Sequence, residues 1–111
     1  MHEQIYNKLK AVARAGTIIT YSEIAPLAGL DMTNPAHRNE IRRILGEVST
    51  FEHRLGHPLL SVVVVHHEDN MPGKGFFVLA KALCVYDGHD ELPFFSTELT
   101  RVHEHWRETK T

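Results

Sequence analysis

The polar segment at residues 66–69 carries the side chains best suited to chemistry. His66 and His67 are followed by a glutamate and an aspartate, and imidazoles and carboxylates serve as metal ligands and general bases. Adjacent residues on a strand point to opposite faces, so the two histidines cannot easily bind one ion. No histidine cluster elsewhere has the spacing of a closed zinc site. We therefore predict no metal site and no cofactor, with a small histidine-dependent hydrolase or nuclease as an alternative function.

A glycine-rich segment lies shortly after these residues, at positions 71–75, and reads Met-Pro-Gly-Lys-Gly. Successive backbone amides in such a segment can surround a phosphate, and Lys74 would add a positive charge. The spacing of a P-loop is absent, because no Gly-Lys-Ser/Thr follows a glycine four residues away. A tight turn that uses the glycines for their backbone freedom is the alternative interpretation.

The composition indicates one small domain in the cytoplasm. The chain has 111 residues, 42% of them hydrophobic, which suffices for a modest core. Its net charge is −2, less basic than is usual for proteins that depend on phosphate contacts. Neither an apolar run of about eighteen residues nor an apolar signal sequence is present. The single cysteine, Cys84, cannot form an internal disulfide, and we interpret it as a small buried hydrophobe.

Residues 20–51 read as a short helix, a turn and a longer helix, around which the other elements are arranged. Thr20 and Glu23 have the spacing of a capping box at the start of the first helix. Asn34 is a good N-cap for the second helix, and Pro35 is a good first residue. The pattern is typical of a helix-turn-helix.

The second helix, predicted at residues 35–55, has one apolar and one polar face. The apolar stripe consists of Ile41, Ile44, Leu45, Val48, Phe51 and Leu55. The opposite face consists of Asn39, Arg42, Arg43, Gly46, Thr50, His53 and Arg54. Glu40 and Glu47 lie at its border. This helix is either a recognition helix for duplex DNA or an ordinary amphipathic helix with a solvated basic face.

The remaining elements predict an α+β fold that is mostly helical. We expect a helix at 2–15, an extended piece at 17–19, a buried strand at 59–65, a helix rather than a strand at 76–86, and a last helix at 94–109. The last helix has an apolar stripe formed by Phe95, Leu99, Val102 and Trp106. This stripe predicts docking on the core, or alternatively a homodimer interface or a contact with a partner protein.

Several short motifs follow one another in a characteristic order. They are Ile5-Tyr6 with Leu9 and Val12, Gly16, TYSEIA at 20–25, LAG at 27–29, RILG at 43–46, and Pro58 followed by valines at 62–65. In this order, residues 5–83 resemble the winged-helix DNA-binding domain of the alkylguanine-DNA alkyltransferases and the alkyltransferase-like proteins. The resemblance implies one winged helix-turn-helix domain over residues 1–111 with a small sheet or hairpin, and the helix at 94–109 lies outside it.

The chain departs from this family at the reactive motif. Leu59 stands where the family has its reactive cysteine, and Leu60 and Ser61 replace the histidine and arginine that follow. Alkyl transfer needs a thiolate activated by a neighbouring base, and neither is present here. The resemblance therefore implies a non-catalytic winged-helix protein that binds duplex DNA. A protein-interaction module of the same fold is the alternative.

The resemblance also implies roles for individual residues. Tyr21 would contact a DNA phosphate and Arg43 would enter the base stack, with Lys74 at the tip of the wing. The alternatives are a tyrosine that packs the helix start and an arginine paired with Glu47 one turn later. Together with the polar face of the second helix, the predicted DNA-binding residues are Tyr21, Asn39, Arg42, Arg43, Thr50 and Lys74.

Overall fold

The computed structural model describes residues 1–108, which form a mostly helical α+β fold. The α-helices are α1 (Glu3–Arg14), α2 (Tyr21–Ile24), α3 (Pro35–Arg54), α4 (Lys74–Ala82) and α5 (Glu91–Glu108). The strands β1 (Ile19–Thr20) and β2 (Val64–Val65) form a parallel pair, and 3₁₀ helices span Ala25–Ala28 and Leu60–Val63. No helix in the described part of the chain is long and apolar enough to cross a membrane.

The predicted pair of helices at the centre of the chain is present. The Thr20 side chain accepts from the Glu23 N–H while the Glu23 carboxylate accepts from the Thr20 N–H, so the predicted capping box is confirmed. The predicted N-cap of α3 is confirmed as well, because the Asn34 side chain accepts from the Ala36 N–H at 2.9 Å. Helix α3 ends at Arg54, and for this reason Leu55 is 55% exposed rather than part of the apolar stripe.

The strand predicted at residues 59–65 is wrong for most of its length. Only Val64–Val65 is a strand, and Leu60–Val63 is a 3₁₀ helix, although every residue from Leu59 to Val65 is buried as predicted. The reason lies in the partners of the backbone. The Leu59 N–H donates to the Glu98 carboxylate at 2.8 Å, and the Ser61 N–H donates to the Ser49 hydroxyl at 3.0 Å. In a sheet these two amides would donate to a neighbouring strand, whereas here they donate to side chains of α3 and α5.

The segment predicted as a helix at 76–86 is helical, but α4 begins at Lys74 and ends at Ala82. The chain reverses at Cys84, which has a φ of 62° in the left-handed region. The prediction that Cys84 is buried is wrong, because its position in this turn leaves the thiol exposed. The left-handed conformation is uncommon for a residue other than glycine.

Helix α5 docks on the core through the predicted stripe. Phe95, Val102 and Trp106 are buried and Leu99 is partly buried. The helix packs against α1 and against the 3₁₀ segment Leu60–Val63, so the predicted docking is confirmed. It begins at Glu91, earlier than predicted, and its predicted end at residue 109 lies outside the described residues.

Two buried glutamates join the helices to the rest of the core. Glu52 on α3 accepts from the Tyr6 hydroxyl at 3.1 Å and pairs with the His57 ring at 2.9 Å. Glu98 on α5 pairs with Arg101 at 2.6 Å in addition to accepting from the Leu59 N–H. Neither carboxylate is more than 1% exposed, and each has the hydrogen-bond partners that a buried charge requires.

Candidate functional site

A cavity of about 550 Å³ lies between α3, the start of α4 and the first residue of α2. Its lining combines cationic, aromatic and aliphatic side chains with two glycines that adjoin the first residue of α4. The lining residues are Tyr21, Met32, Arg38, Ile41, Arg42, Leu45, Gly46, Ser61, His66, Gly73, Lys74, Gly75, Phe76, Val78 and Leu79. None of them is a carboxylate, so the cavity favours an anion over a cation.

Tyr21 connects α2 to the glycine-rich segment. Its hydroxyl oxygen accepts from the Gly73 N–H at 2.9 Å, and its ring lies 4.6 Å from the His66 ring between centroids. Burial raises the pKa of Tyr21, and the Gly73 hydrogen bond and the charge of Arg42 oppose that rise. The hydroxyl therefore stays protonated near neutral pH, and its hydrogen can be donated to an anion in the cavity.

Arg38, Arg42 and Lys74 supply the positive charge of the cavity. The two arginines are one turn apart on α3, and Lys74 is the first residue of α4. The Arg42 guanidinium donates to the Asn39 side chain at 3.2 Å. Its side chain runs so close to Gly75 that a Cβ atom at that glycine would lie 2.8 Å from the Arg42 Cδ. The absence of a side chain at Gly75 therefore leaves room for the Arg42 side chain along the cavity.

Arg43 has a different environment from its neighbour. Its Nε and Nη2 donate to the two oxygens of Glu40 at 2.7 and 3.0 Å, and its Nη1 lies 4.0 Å from a Glu47 oxygen. The Arg43 hydrogen bond lowers the pKa of Glu40, which stays ionised at neutral pH. Arg43 is thus already paired with carboxylates, mainly with Glu40 rather than with the predicted partner, Glu47.

The structure divides the predicted DNA-binding residues between two surfaces. Tyr21, Arg42 and Lys74 line the cavity, and Asn39 contacts Arg42 beside it. Arg43 and Thr50 instead line a shallow groove on α3, together with Gly46, Glu47, Phe51, Arg54 and Leu79. The cavity and the groove share Gly46 and Leu79, so the two surfaces adjoin.

Two cavity residues, Arg38 and His66, are absent from the binding residues predicted from the sequence. Arg38 precedes Arg42 by one helical turn, and this spacing could have identified it. His66 reaches the cavity because the loop after β2 folds back on itself. The His66 N–H donates to the Met71 carbonyl and the Asn70 N–H donates to the His66 carbonyl, both at 2.9 Å. No sequence pattern indicates this closure.

The serine and the histidine of the cavity do not form a nucleophile–base pair in the described part of the chain. Ser61 lines the cavity, but its hydroxyl is paired with the Ser49 hydroxyl at 2.6 Å. Leu59, which the resemblance would place at the reactive cysteine of the alkyltransferases, is fully buried. Within residues 1–108, no group of three or more histidine, cysteine, aspartate or glutamate side chains could hold a metal ion.

Comparison of the chain with models of known protein families, with curated proteins and with solved structures found no match.

Proposed function

We propose that this protein is a non-catalytic DNA-binding protein of the winged-helix type, with α3 as the recognition helix. The closed loop before α4 would act as the wing and bring Lys74 to the phosphate backbone. The order of a short helix, a turn and the long helix α3 supports this assignment. The resemblance of residues 5–83 to the alkyltransferase-like proteins supports it as well.

One observation carries the proposal. Arg38 and Arg42 are exposed along one side of α3, Lys74 is exposed beside them, and none of the described carboxylates lines the cavity that they surround. The net charge of the chain is −2, so this local excess of positive charge is not a consequence of composition. Phosphate contacts by lysine and arginine supply most of the affinity of non-specific DNA binding.

The two adjacent arginines, Arg42 and Arg43, should contribute unequally to DNA affinity. Among residues 1–108, Arg42 donates only to a neutral amide, that of Asn39, and can exchange this contact for a phosphate at little cost. Arg43 must first leave the bidentate contact with Glu40, and the freed carboxylate would then repel DNA. We therefore expect Arg42 to contribute more to DNA affinity than Arg43.

The test is fluorescence anisotropy with a short duplex at low salt. We expect weak binding, a marked loss of affinity for Arg42→Ala, and a smaller loss for Arg43→Ala. The double variant should also flatten the dependence of affinity on salt, because each lost phosphate contact lowers the slope by about 1.

A matched control removes two positive charges from outside the cavity. Lys81 and Arg107 are exposed on α4 and α5 and do not line the cavity. Lys81→Ala plus Arg107→Ala should weaken binding less than Arg42→Ala plus Arg43→Ala. Equal affinity of the parent and the α3 double variant would rule out α3 as the DNA-binding helix.

A further inference from the structure

The cavity beside α3 has two chemically different parts. Arg38, Arg42 and Lys74 give it positive charge, whereas half of its other residues have large apolar side chains: Met32, Ile41, Leu45, Phe76, Val78 and Leu79. Its volume of about 550 Å³ lies within the range of small-molecule sites, about 300–1,000 Å³. A duplex whose bases stay stacked offers its phosphates to the cations and leaves the apolar part of the cavity uncovered.

The apolar part indicates an organic ligand. Val78 on α4 lines the cavity and is 69% exposed, so its apolar surface is available to a bound molecule. An inorganic ion would bind the cations and leave these side chains in contact with water. A ligand with an apolar ring would instead remove both its own surface and theirs from water.

The cationic part indicates an oxyanion. Two arginines one turn apart can each make paired hydrogen bonds to the oxygens of a phosphate or carboxylate, and lysine adds a point charge. The hydroxyl of Tyr21 can donate as well, because its contact with the Gly73 N–H uses the oxygen only as an acceptor. The backbone amides at the start of α4 add to the positive potential of the cavity. No side chain caps them, because the N-cap residue is Gly73.

We propose that this cavity is a binding site for a small organic phosphate, with its apolar body against Leu45, Phe76 and Leu79 and its phosphate among Arg38, Arg42 and Lys74. The inference does not depend on DNA binding, because it concerns the interior of the cavity. The two functions share Arg42 and Lys74, so a bound organic phosphate and a duplex compete for the same cations.

The test uses isothermal calorimetry and thermal shift on the full chain without DNA, with phenyl phosphate as the probe. Phenyl phosphate should bind and raise the melting temperature, as any ligand selective for the folded state does. Inorganic phosphate lacks the apolar body and phenol lacks the charge, so each should bind at least about tenfold more weakly. Binding of either one as tightly as phenyl phosphate overturns the proposal, as does the absence of binding by phenyl phosphate.

Variants locate the ligand. Arg42→Ala should weaken phenyl phosphate binding by about tenfold or more, the usual effect of losing one charge-assisted contact. Val78→Asp should also weaken phenyl phosphate binding, because the substitution adds a negative charge at the cavity. Position 78 is highly exposed, so the variant should still fold. Arg107→Ala, on α5, should leave the affinity unchanged. Normal affinity in a folded Val78→Asp variant would overturn the site.

A competition experiment distinguishes a free ligand from the end of a nucleic acid. A duplex with a 5′-hydroxyl should be displaced from the protein by phenyl phosphate if both use Arg42. If only a 5′-phosphorylated duplex competes with phenyl phosphate, the cavity is a site for a nucleic-acid end and the assignment to a free small molecule is wrong. If the parent protein binds phenyl phosphate but binds no duplex, the proposed DNA function is wrong and the cavity site is established.

Discussion

Tyr6 and His57 hold the carboxylate of Glu52, which has no solvent exposure. Burial, the charge of Glu52 and the hydrogen bond to it raise the pKa of Tyr6 to about 12, from an ordinary value of about 10. The fold therefore favours the protonated phenol. Its contribution to stability is complete below about pH 10 and is lost as the pH rises toward 12, because the unfolded chain loses its proton first.

Tyr6→Phe should remove this dependence. At pH 7 the variant should be less stable by about 1–3 kcal/mol, since the buried carboxylate loses a donor. Between pH 10 and 12 the difference between parent and variant should shrink, because only the parent has the Tyr6 phenol whose stabilising contribution is lost in this range. Urea denaturation at several pH values measures both effects. A difference that stays constant up to pH 12 would show that the phenol is not coupled to Glu52.

At the scale of elements, Trp106 is one of the aromatic side chains that anchor α5 on the core. Trp106 is 6% exposed, and the Arg14 guanidinium lies 5.5 Å from its ring centre. The indole Nε1 is buried and has no hydrogen-bond partner among the described residues, so the contribution of Trp106 comes from packing. Because the apolar stripe of α5 is buried in the chain's own core, a dimer through this helix would have to use its outer face.

Trp106→Ala should lower the free energy of unfolding by about 3–5 kcal/mol, as truncations of core aromatic residues do. Trp106→Phe should cost clearly less, because it keeps an aromatic ring and removes a buried donor that has no partner. Leu92→Ala, also on α5 but 62% exposed, is the control and should change stability by less than about 0.5 kcal/mol. Similar values for Trp106→Ala and Leu92→Ala in denaturant melts would contradict the anchoring role.

At the scale of the whole molecule, charge and reactivity are distributed in different places. The positive side chains of the cavity lie on α3 and at the start of α4, in a chain whose net charge is −2. The one cysteine, Cys84, lies in the turn after α4 and does not line the cavity. A DNA base held at the cavity would meet no thiol there.

We therefore expect no alkyl transfer from DNA that contains O6-alkylguanine. The resemblance would place Leu59 at the alkyltransferase cysteine, and a fully buried leucine offers no nucleophile. Mass spectrometry of the intact protein after incubation should show an unchanged mass, with Cys84→Ser as the control for unrelated alkylation. A stoichiometric mass increase that persists in Cys84→Ser would refute this expectation.

The sequence by itself determined the features that depend on neighbouring residues. The capping box of α2, the N-cap of α3 and the apolar stripe of α5 follow from spacings of three or four residues, and local backbone geometry makes such spacings reliable. It also indicated Arg42 through the polar face of the second helix, Lys74 through the glycine-rich segment, and Tyr21 through the resemblance to the alkyltransferases. These three residues do line one cavity.

Only the tertiary structure decided the features in which distant residues compete for one partner. Residues 59–65 have the composition of a buried strand. However, the Glu98 and Ser49 side chains accept hydrogen bonds from the amides of Leu59 and Ser61, and only Val64 and Val65 pair with β1. Arg42 and Arg43 are adjacent in sequence, yet one reaches the cavity and the other pairs with Glu40. A hydrogen bond depends on distances in space, and sequence spacing fixes those distances only within a helix turn or a tight loop.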